Sequence, residues 1–371
     1  MKIAHLISSR GVFGAENVVL SLAQNFNKGN NIAYVGMIRD MRFPDDIELI
    51  SKAKTLCLPT FIIDSNGRFD FKAIIQLKRF LIKNKIDILH THNYKSNIIG
   101  LAAVKMAAIP IVSTVHGYTD LNAAVSLYER IDRFILSFLF DKIVVVNDKI
   151  LPHISQEKRF VIRNGLNINL FCRDNRKAVK FRKEFNISNS NIVIATAARL
   201  SKEKNQAMLI DAAEILFKKN HNITIIIAGD GPERKYLNQQ IKEKGIYGQL
   251  IFTGFIKDMS AFYSAVDIFV LTSHNEGIPL VILEAQASKV AVVATNVGGV
   301  ADIIIDNETG LLVEPGDVQQ FTKSIEMLIN IPEKRNMIAE SAFQSIRKNF
   351  SIDKMIQSYH DLYSSCISRR I

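Results

Sequence analysis

The chain has 371 residues, of which 48% are hydrophobic and 22% charged, and its formal net charge is +11. This is the composition of an ordinary globular protein, and the length exceeds what one hydrophobic core usually holds, so we expect two domains. No run reaches the roughly 18 consecutive apolar residues of a transmembrane helix.

The cysteines and the N-terminus indicate a cytoplasmic protein. Cys57, Cys172 and Cys366 are odd in number and widely spaced, which argues against a disulfide framework and against a zinc site. The start, MKIAHLISSRG, lacks a small-residue cleavage site and is typical of a first β-strand, not of a signal peptide.

The positive charge is concentrated in the first half. Residues 1–170 contain 22 Lys/Arg and 14 Asp/Glu, whereas residues 171–371 contain 25 and 22. This excess suggests an anionic partner, such as a phosphorylated ligand, an acidic membrane face or nucleic acid. A solvated basic surface without a partner is an equally open interpretation.

Short apolar, β-branched runs alternate with segments of helical periodicity along the whole chain. The helical candidates include ENVVLSLAQNF and FKAIIQLKRFLIKNK. The predicted strands are 2–8, 32–38, 60–64, 86–90, 111–115, 142–146, 191–198, 223–229, 249–254, 267–272 and 290–295. Continuous apolar strands separated by helices predict parallel sheets covered on both faces.

The two series of strands are separated by residues 165–190, which are polar and lack a strand signal, and which we interpret as a linker. We therefore predict an α/β fold with two doubly wound domains, 1–168 and 169–350. The last segment, 351–371, has helical spacing and is expected either to cap its own domain or to cross back to the first.

Ligands of open parallel sheets bind beyond the carboxyl ends of the strands. In the first half, the loops at these ends are SSRGVFGAE (8–16), HTHNYKS (90–96) and VHGY (115–118). A histidine at a strand end is often only a hydrogen-bonded structural residue, but three polar strand ends in one domain favour a ligand site.

The second half has four such loops: AARLSKEKN (197–205), AGDGPE (228–233), TGF (253–255) and SHNEGIPLVILE (273–284). The last contains Pro279, which suits a helix start, between Glu276 and Glu284. A helix start attracts phosphates, so the flanking glutamates need an explanation. Together with Arg199 and Lys204 it predicts an anion site of diphosphate size. The alternative for these two cations is a solvated helix-start surface.

Two other ligand classes fit poorly. GDGPER is not a dinucleotide fingerprint, because Arg234 occupies the place of the last glycine. His90 and His92 are placed on one strand face but lack a clustered carboxylate, and there is no HExxH, so we expect no metal site.

These motifs resemble those of the retaining nucleotide-sugar glycosyltransferases of family 4, which have the GT-B fold. The main signature is E-x7-E, here Glu276-GIPLVIL-Glu284, and Arg199-LSKE-Lys204 matches an R-x4-K element. The other matching motifs, in chain order, are GAE (14–16), HTHN (90–93), VHG (115–117), NG (164–165), GDGP (229–232), TGF (253–255) and VGG (297–299). The resemblance covers nearly the whole chain and implies two facing Rossmann-like domains with a cleft between them.

The resemblance also implies roles for individual residues. Glu284 is expected to bind the ribose hydroxyls and Glu276 the donor sugar, while the diphosphate lies on the helix start against Arg199 and Lys204. His116 is expected beside the donor sugar, and no metal cofactor is expected. The remaining donor-binding candidates are Gly14, Gly229, Asp230, Phe255, Gly277, Ile278, Pro279, Leu280 and Val281. One departure concerns Gly14, because Phe13 stands where the family commonly has a second glycine.

The resemblance places the acceptor on the N-terminal domain, with candidates His92, Asn93, Tyr94, Lys95 and Tyr118. Two amphipathic stretches, 68–85 and 126–140, either pack as covering helices or dock on an anionic inner membrane face, where lipid-linked acceptors would be found. We expect a UDP-sugar donor and a cell-surface glycan or its lipid carrier as acceptor.

Several alternatives remain open at this stage. They are a GDP-mannose-dependent transferase of the same fold, a GT-B nucleotide-sugar epimerase, and a basic module that binds membranes or nucleic acid. A nicotinamide oxidoreductase is disfavoured by the failed fingerprint. We expect no nucleic-acid partner, because such a module would not explain Glu276, Pro279 and Glu284 together.

Overall fold

The computed structural model describes residues 1–371 except 10, 46, 68–69, 117–131, 149, 220–221 and 369–371. The chain divides into two compact units. The N-terminal unit comprises Met1–Asn164 together with Asp353–Ile371, and the C-terminal unit comprises Gly165–Ile352.

The N-terminal unit is built on a parallel sheet whose strand order is β3-β2-β1-β4-β5-β6-β7 in its described part. The strands are β1 (Lys2–Ile7), β2 (Ile32–Asp40), β3 (Thr60–Ser65), β4 (Ile88–Thr91), β5 (Ile111–Val115), β6 (Lys142–Val145) and β7 (Arg159–Val161). The helices described between them are α1 (Gly14–Phe26), α2 (Glu48–Thr55), α3 (Phe71–Lys83), α4 (Tyr94–Ala107) and α5 (132–139). The central strands β1, β4 and β5 are buried on both faces, as expected for a parallel sheet covered by helices, although they include polar residues such as His5 and His90.

The C-terminal unit repeats this plan with the order β10-β9-β8-β11-β12-β13. Its strands are β8 (Ile192–Ala197), β9 (Ile223–Ala228), β10 (Leu250–Gly254), β11 (Ile268–Leu271), β12 (Ala291–Thr295) and β13 (Leu311–Val313). Its helices in the described residues are α6 (Asn175–Glu184), α7 (Gln206–Lys218), α8 (Arg234–Glu243), α9 (Met259–Ala265), α10 (Leu280–Ala287), α11 (Val318–Asn330) and α12 (Pro332–Asn349). The predicted α/β class with two doubly wound parallel sheets is confirmed.

The last helix, α13 (Ile352–Ser368), belongs to the N-terminal unit except for its first residue. Tyr359 and Tyr363 are buried there, and the ring of Tyr363 packs edge-on against Phe26 of α1 at 5.4 Å. The chain thus begins and ends in the same unit.

The predicted linker is wrong in one respect. Residues 165–190 contain helix α6, whose side chain Phe181 is buried and packs edge-on against Phe262 of α9. This helix is mostly polar because it buries little more than one aromatic side chain, so apolar periodicity did not reveal it. The short strands β7 and β13 were also missed, since three residues carry too little pattern.

Both amphipathic stretches place side chains in the core of the N-terminal unit, where Leu136 of α5 is fully buried. In α3, Leu77 and Leu81 are core residues, and Ile74 and Phe80 pack against the same core, so the core-packing alternative holds for its apolar side. In α5, Phe134 and Phe138 are 63% and 66% exposed, with ring centroids 4.9 Å apart. No helix within the described residues is long and apolar enough to cross a membrane.

Candidate active site

Three of the predicted donor-binding residues, Arg199, Lys204 and Glu276, lie on the loops after two neighbouring strands of the second sheet. Strands β8 and β11 are neighbours in the sheet. From β8 the chain continues to β9 toward one edge of the sheet, and from β11 it continues to β12 toward the other edge. Such a switch point is where ligands of open parallel sheets bind, beyond the carboxyl ends of the strands. Arg199 and Lys204 follow β8, and Glu276 follows β11. The strand order therefore brings together charged residues that lie more than 70 positions apart in the chain.

An ion pair joins these two loops. Lys204 Nζ lies 2.7 Å from Glu276 Oε1, and the two side chains are 24% and 9% exposed. Ser273 Oγ donates to the same carboxylate oxygen at 2.7 Å, and Thr272 Oγ1 donates to the carbonyl oxygen of Lys204 at 2.9 Å. Glu276 Oε1 therefore accepts from two donors of the protein itself.

Glycines allow neighbouring loops to support this arrangement. A Cβ on Gly298 would lie 1.8 Å from the carbonyl oxygen of Glu276, so only glycine permits the VGG turn to approach so closely. Gly229 has a φ of +116°, and a Cβ there would lie 2.1 Å from the carbonyl oxygen of Ala198. The GDGP turn is thus packed directly against the loop that carries Arg199.

Helix α10 begins immediately after Pro279, and no side chain caps it. The first backbone N–H groups of a helix have no partner within the helix, so this start, at Leu280 and Val281, offers donors to an anion. Gly277 and Ile278 lead into it. The N–H of Gly299 donates to the carbonyl oxygen of Gly277 at 3.0 Å, which fixes the entry of the chain.

Glu284 lies in the second turn of α10. Tyr263, a buried residue of α9, places its hydroxyl 3.0 Å from Glu284 Oε2 and 3.1 Å from the carbonyl oxygen of Val281. Burial and the neighbouring Glu284 carboxylate raise the pKa of Tyr263 well above its ordinary value, so the hydroxyl keeps its proton and donates. Both glutamates of the motif are therefore tied to donors at the sides of the helix start.

The charges of the site influence one another. Burial raises the pKa of Glu203; Lys204 opposes this rise, Glu276 adds to it, and Arg199 also opposes it. Two cations, Arg199 and Lys204, and two carboxylates, Glu203 and Glu276, thus lie close enough to influence one another electrostatically.

The remaining donor candidates are on the adjacent loops. Asp230 accepts a hydrogen bond from the N–H of Gly231 through Oδ1 at 2.7 Å. Phe255, directly after β10, is 74% exposed and offers a free aromatic face. In the other unit, Gly14 is the first residue of α1, and a Cβ there would meet nothing within 4 Å among the atoms of the protein.

Within the described part of the N-terminal unit, three histidines lie on or directly after β1 and β4, at the switch point of its sheet, and a fourth, His116, follows β5. His5 and His90 are partners in the register of these strands, and His92 follows β4. His5 Nδ1 lies 3.1 Å from His92 Nε2, and His92 Nδ1 lies 3.2 Å from His116 Nε2. His116, predicted beside the donor sugar, is therefore the partly exposed end of a hydrogen-bonded row.

His90 connects this cluster to the last helix. Its Nδ1 lies 2.5 Å from the hydroxyl of Tyr363, and its Nε2 lies 2.8 Å from Thr114 Oγ1, which in turn lies 3.0 Å from the hydroxyl of Tyr359. These contacts explain why two buried tyrosines of α13 stay hydrogen-bonded.

The acceptor candidates are only partly available to a ligand. His92 and Lys95 are buried, and Lys95 lies near the carboxylate of Asp40. Asn93 caps α4 by accepting from the N–H of Ser96 at 3.1 Å, and Tyr94 is the first residue of that helix. Tyr118 lies outside the described residues.

Within the described residues, one group of His, Cys, Asp or Glu side chains has spacing suited to a metal ion. It comprises His5, His90 and His92, whose candidate ligand atoms lie within 4.8 Å of one another. Five of their six ring nitrogens take part in hydrogen bonds, and only His5 Nε2 is unpaired. A metal ion would have to displace several of these hydrogen bonds. The three rings are therefore better placed to bond to other side chains than to hold a cation.

Four contributors were not found from the sequence. Ser273 and Thr272 precede the motif on its own loop, and their polar side chains at a strand end were an available signal. His5 lies inside an apolar strand, and Tyr263 lies on another helix, so neither carried a signal that distinguishes it from a core residue.

Comparison with known proteins gives the family. The model for Glycosyltransferase Family 4 matches residues 12–170, and the model for Glycosyl transferases group 1 matches residues 178–345. Together these matches cover most of the chain, in the order expected for the two units.

Individual relatives agree with this assignment. The chain is 27% identical to the Escherichia coli UDP-Gal:alpha-D-GlcNAc-diphosphoundecaprenol alpha-1,3-galactosyltransferase, over 98% of this chain and 96% of that protein. It is 25% identical to the capsular polysaccharide biosynthesis glycosyltransferase CapM of Staphylococcus aureus, over 80% of this chain and 81% of that protein. Its fold matches the crystal structure of Anabaena HepE in complex with UDP-glucose with a TM-score of 0.87 and 24% identity, over 98% of this chain and all of the other. The chain belongs to the family 4 glycosyltransferases, and its two sheets are those of the GT-B fold.

Proposed function

We propose that this protein is a retaining glycosyltransferase that moves a sugar from a UDP-sugar to a glycan or lipid-linked saccharide during cell-surface polysaccharide synthesis. The observation that carries the proposal is the Lys204–Glu276 pair beside the uncapped start of α10. The galactosyltransferase and the capsular enzyme that resemble this chain support a role in polysaccharide synthesis and a lipid-linked acceptor. The UDP-glucose complex of HepE supports a UDP-sugar as the donor.

In this proposal the diphosphate binds to the helix start and to Arg199 and Lys204. An ammonium group has three N–H donors, so Lys204 can keep its bond to Glu276 while it donates to a phosphate oxygen. Glu276 then accepts hydrogen bonds from the donor sugar, and Glu284 accepts them from the ribose. The glutamates act on the two sugars, and the helix start acts on the phosphates between them.

The chemical step breaks the bond between the anomeric carbon and the diphosphate oxygen. Negative charge grows on the leaving diphosphate, and cations and N–H dipoles fixed in place stabilise it. A double displacement would need a carboxylate nucleophile on the opposite face of the sugar. We propose a front-face reaction instead, in which the acceptor oxygen bonds to the anomeric carbon and its proton passes to the departing phosphate oxygen. The product would keep the anomeric configuration, which proton NMR of the product reads directly.

Because cations of the protein meet the diphosphate, the proposal requires no metal ion. We propose that the acceptor binds to the N-terminal unit at Asn93 and Tyr94, and that His116 of this unit meets the donor sugar. We also propose that the exposed Phe134 and Phe138 of α5 help this unit to reach a lipid-linked acceptor at an anionic membrane face. Vesicles with anionic lipid should retain the protein at low salt, and the Phe134→Ser/Phe138→Ser variant should be released. Equal retention of both would contradict the membrane proposal.

The first test is calorimetric binding of UDP, GDP, ADP and NAD with a chelator present. We expect selective UDP binding that Arg199→Ala abolishes, while Arg176→Ala, at an exposed arginine of α6, binds as the wild type does. Selective GDP binding would keep the mechanism and change the donor. Binding of none of the four would contradict the assignment of the site.

A further inference from the structure

The row of histidines in the N-terminal unit constrains where protons lie. His5, His92 and His116 are joined by two nitrogen–nitrogen hydrogen bonds of 3.1 and 3.2 Å. The first two rings are buried, and the third is partly exposed. Each hydrogen bond needs one proton between its two nitrogens, since one nitrogen must donate and the other accept.

All three rings are neutral at physiological pH. Burial lowers the pKa of His5 to about 3 and that of His116 to about 4, and it lowers the pKa of His92 well below its ordinary value. A neutral imidazole carries a single N–H and a single acceptor nitrogen. The nitrogen that carries the proton in one ring therefore determines which nitrogen carries it in the next ring.

Only two arrangements satisfy both bonds. In the first, His92 donates through Nε2 to His5, so His116 must donate through its Nε2 to His92, and His5 carries its proton on Nε2. In the second, His5 donates through Nδ1 to His92 Nε2, and His92 donates through Nδ1 to His116 Nε2. The proton of His116 is then on Nδ1.

The buried end of the row decides between them. His5 Nε2 is fully buried and has no hydrogen-bond partner among the described residues. The first arrangement would place an unpaired N–H at this atom, and the second leaves only an unpaired acceptor. Among buried backbone groups, N–H donors without a partner are rarer than acceptors without one, and we apply the same order to the ring nitrogen of His5. The second arrangement is therefore favoured.

We propose that His92, supported by His5, is a positioning residue that holds His116 in the Nδ1–H tautomer. This inference rests on the proposed function, in which His116 meets the donor sugar. In that tautomer Nε2 of His116 is occupied by His92, and Nδ1 offers an N–H to a sugar oxygen. His116 is then a neutral hydrogen-bond donor and does not take the proton of the acceptor, which agrees with transfer of that proton to the leaving phosphate.

The direct test is long-range proton–nitrogen NMR of protein labelled with ¹⁵N-histidine, which distinguishes the two tautomers of each ring. We expect His5, His92 and His116 all to be Nδ1–H, although the Nε2–H form is the more populated one for histidine in water. A spectrum in which His116 carries its proton on Nε2 would overturn the proposal. This measurement needs no substrate, so it remains decisive even if the proposed donor is wrong.

Variants at position 92 test the functional consequence. His92→Phe removes the donor to His116, and we expect the His116 ring to shift toward Nε2–H, with kcat/KM for the donor sugar falling about 10-fold to 100-fold. His92→Asn can place an amide N–H near the former Nδ1, so it should restore much of both the tautomer and the rate. A tautomer shift with an unchanged kcat/KM would overturn the positioning role.

His90→Phe is the matched control. His90 is as buried as His5 and is its partner across the strands, but it bonds to Thr114 and Tyr363 and not to the row. We expect lower thermal stability without a change in the tautomers of His92 and His116. A change of His116 as large as that in His92→Phe would show a general disturbance of packing and would overturn the proposal.

Discussion

The two switch points of this molecule occupy equivalent places in two similar sheets, but one carries neutral histidines and the other carries charged side chains. Between β1 and β4 lie histidines that are buried and neutral and that bond mainly to one another. Between β8 and β11 lies the Lys204–Glu276 ion pair, whose lysine is 24% exposed, beside a free helix start.

This difference suits the two tasks that we propose for the switch points, which are orientation of His116 at the first and diphosphate binding at the second. Charges that must bind a diphosphate need some contact with solvent, because a fully buried ion is costly. Hydrogen-bonding groups that only orient another side chain can be buried completely, provided that they remain neutral. The strand order of the sheet determines where these side chains lie, and their degree of burial determines whether charged or neutral groups are tolerated there.

Low pH should reveal the largest difference between the two units, because it should lower the stability of the N-terminal unit more than that of the C-terminal unit. Unfolded histidines have a pKa near 6.5, whereas the buried rings of the N-terminal unit have lowered pKa values, so the unfolded state binds more protons below that pH. Stability is therefore unaffected above about pH 7 and falls as pH drops below about 6.5. The fall should be on the order of 1 kcal/mol per pH unit for each buried ring. Hydrogen exchange corrected for the intrinsic rate should show the N-terminal unit losing protection between pH 7 and 5.

The C-terminal unit is the internal control, since no buried histidine is described in it. The variant His5→Phe should reduce the pH dependence of the N-terminal unit by about one proton. An equal loss of protection in both units would contradict the contrast between them.

Glu276→Gln tests the sugar-binding role at the second switch point. We expect kcat to fall about 100-fold to 1,000-fold, because a charge-assisted bond to the donor sugar is lost during transfer. UDP affinity should stay within a few-fold, since in our proposal the phosphates contact other groups. Steady-state kinetics and calorimetry measure the two quantities, with Glu308→Gln at an exposed site of the same unit as the control. Equal losses of turnover and UDP affinity would exclude a role confined to the sugar.

Lys204→Met should weaken UDP binding about 100-fold, because it removes a phosphate donor and leaves Glu276 without its countercharge. Adding Glu276→Gln should recover part of this loss, and the double-mutant cycle gives the coupling between the two. Lys218→Met, at a lysine 70% exposed, is the control. If UDP affinity is unchanged by Lys204→Met, the diphosphate does not bind at this pair.

Tyr263→Phe should have the smallest effect. It removes the hydroxyl that lies 3.0 Å from Glu284 and leaves the packing intact. We expect UDP to bind about 3-fold to 10-fold more weakly and the free energy of unfolding to fall by about 1 kcal/mol. Tyr247→Phe, at a tyrosine 78% exposed, should change neither. A loss of stability with unchanged UDP affinity would mean that Tyr263 supports only the fold.

Much of this architecture can be read from the sequence because its signals are local. Continuous apolar runs such as IVIATA and IFVL identify buried parallel strands, since both faces of each strand need apolar side chains. Ligands of parallel sheets are expected at strand ends, so Arg199, Lys204 and Glu276 could be selected before the contact between Lys204 and Glu276 was known. Helix α6 was not predicted, because its one buried phenylalanine gives no apolar periodicity.

The tertiary structure decided which of these residues touch. Lys204 and Glu276 meet because β8 and β11 are neighbours, which follows from the order of strands and not from distance along the chain. His5 and His92 are 87 positions apart in the chain, and they are hydrogen-bonded only because β1 pairs with β4. The sequence determines a residue's chemistry and the strand or helix that carries it, whereas burial and hydrogen-bond partners arise only when the sheet assembles.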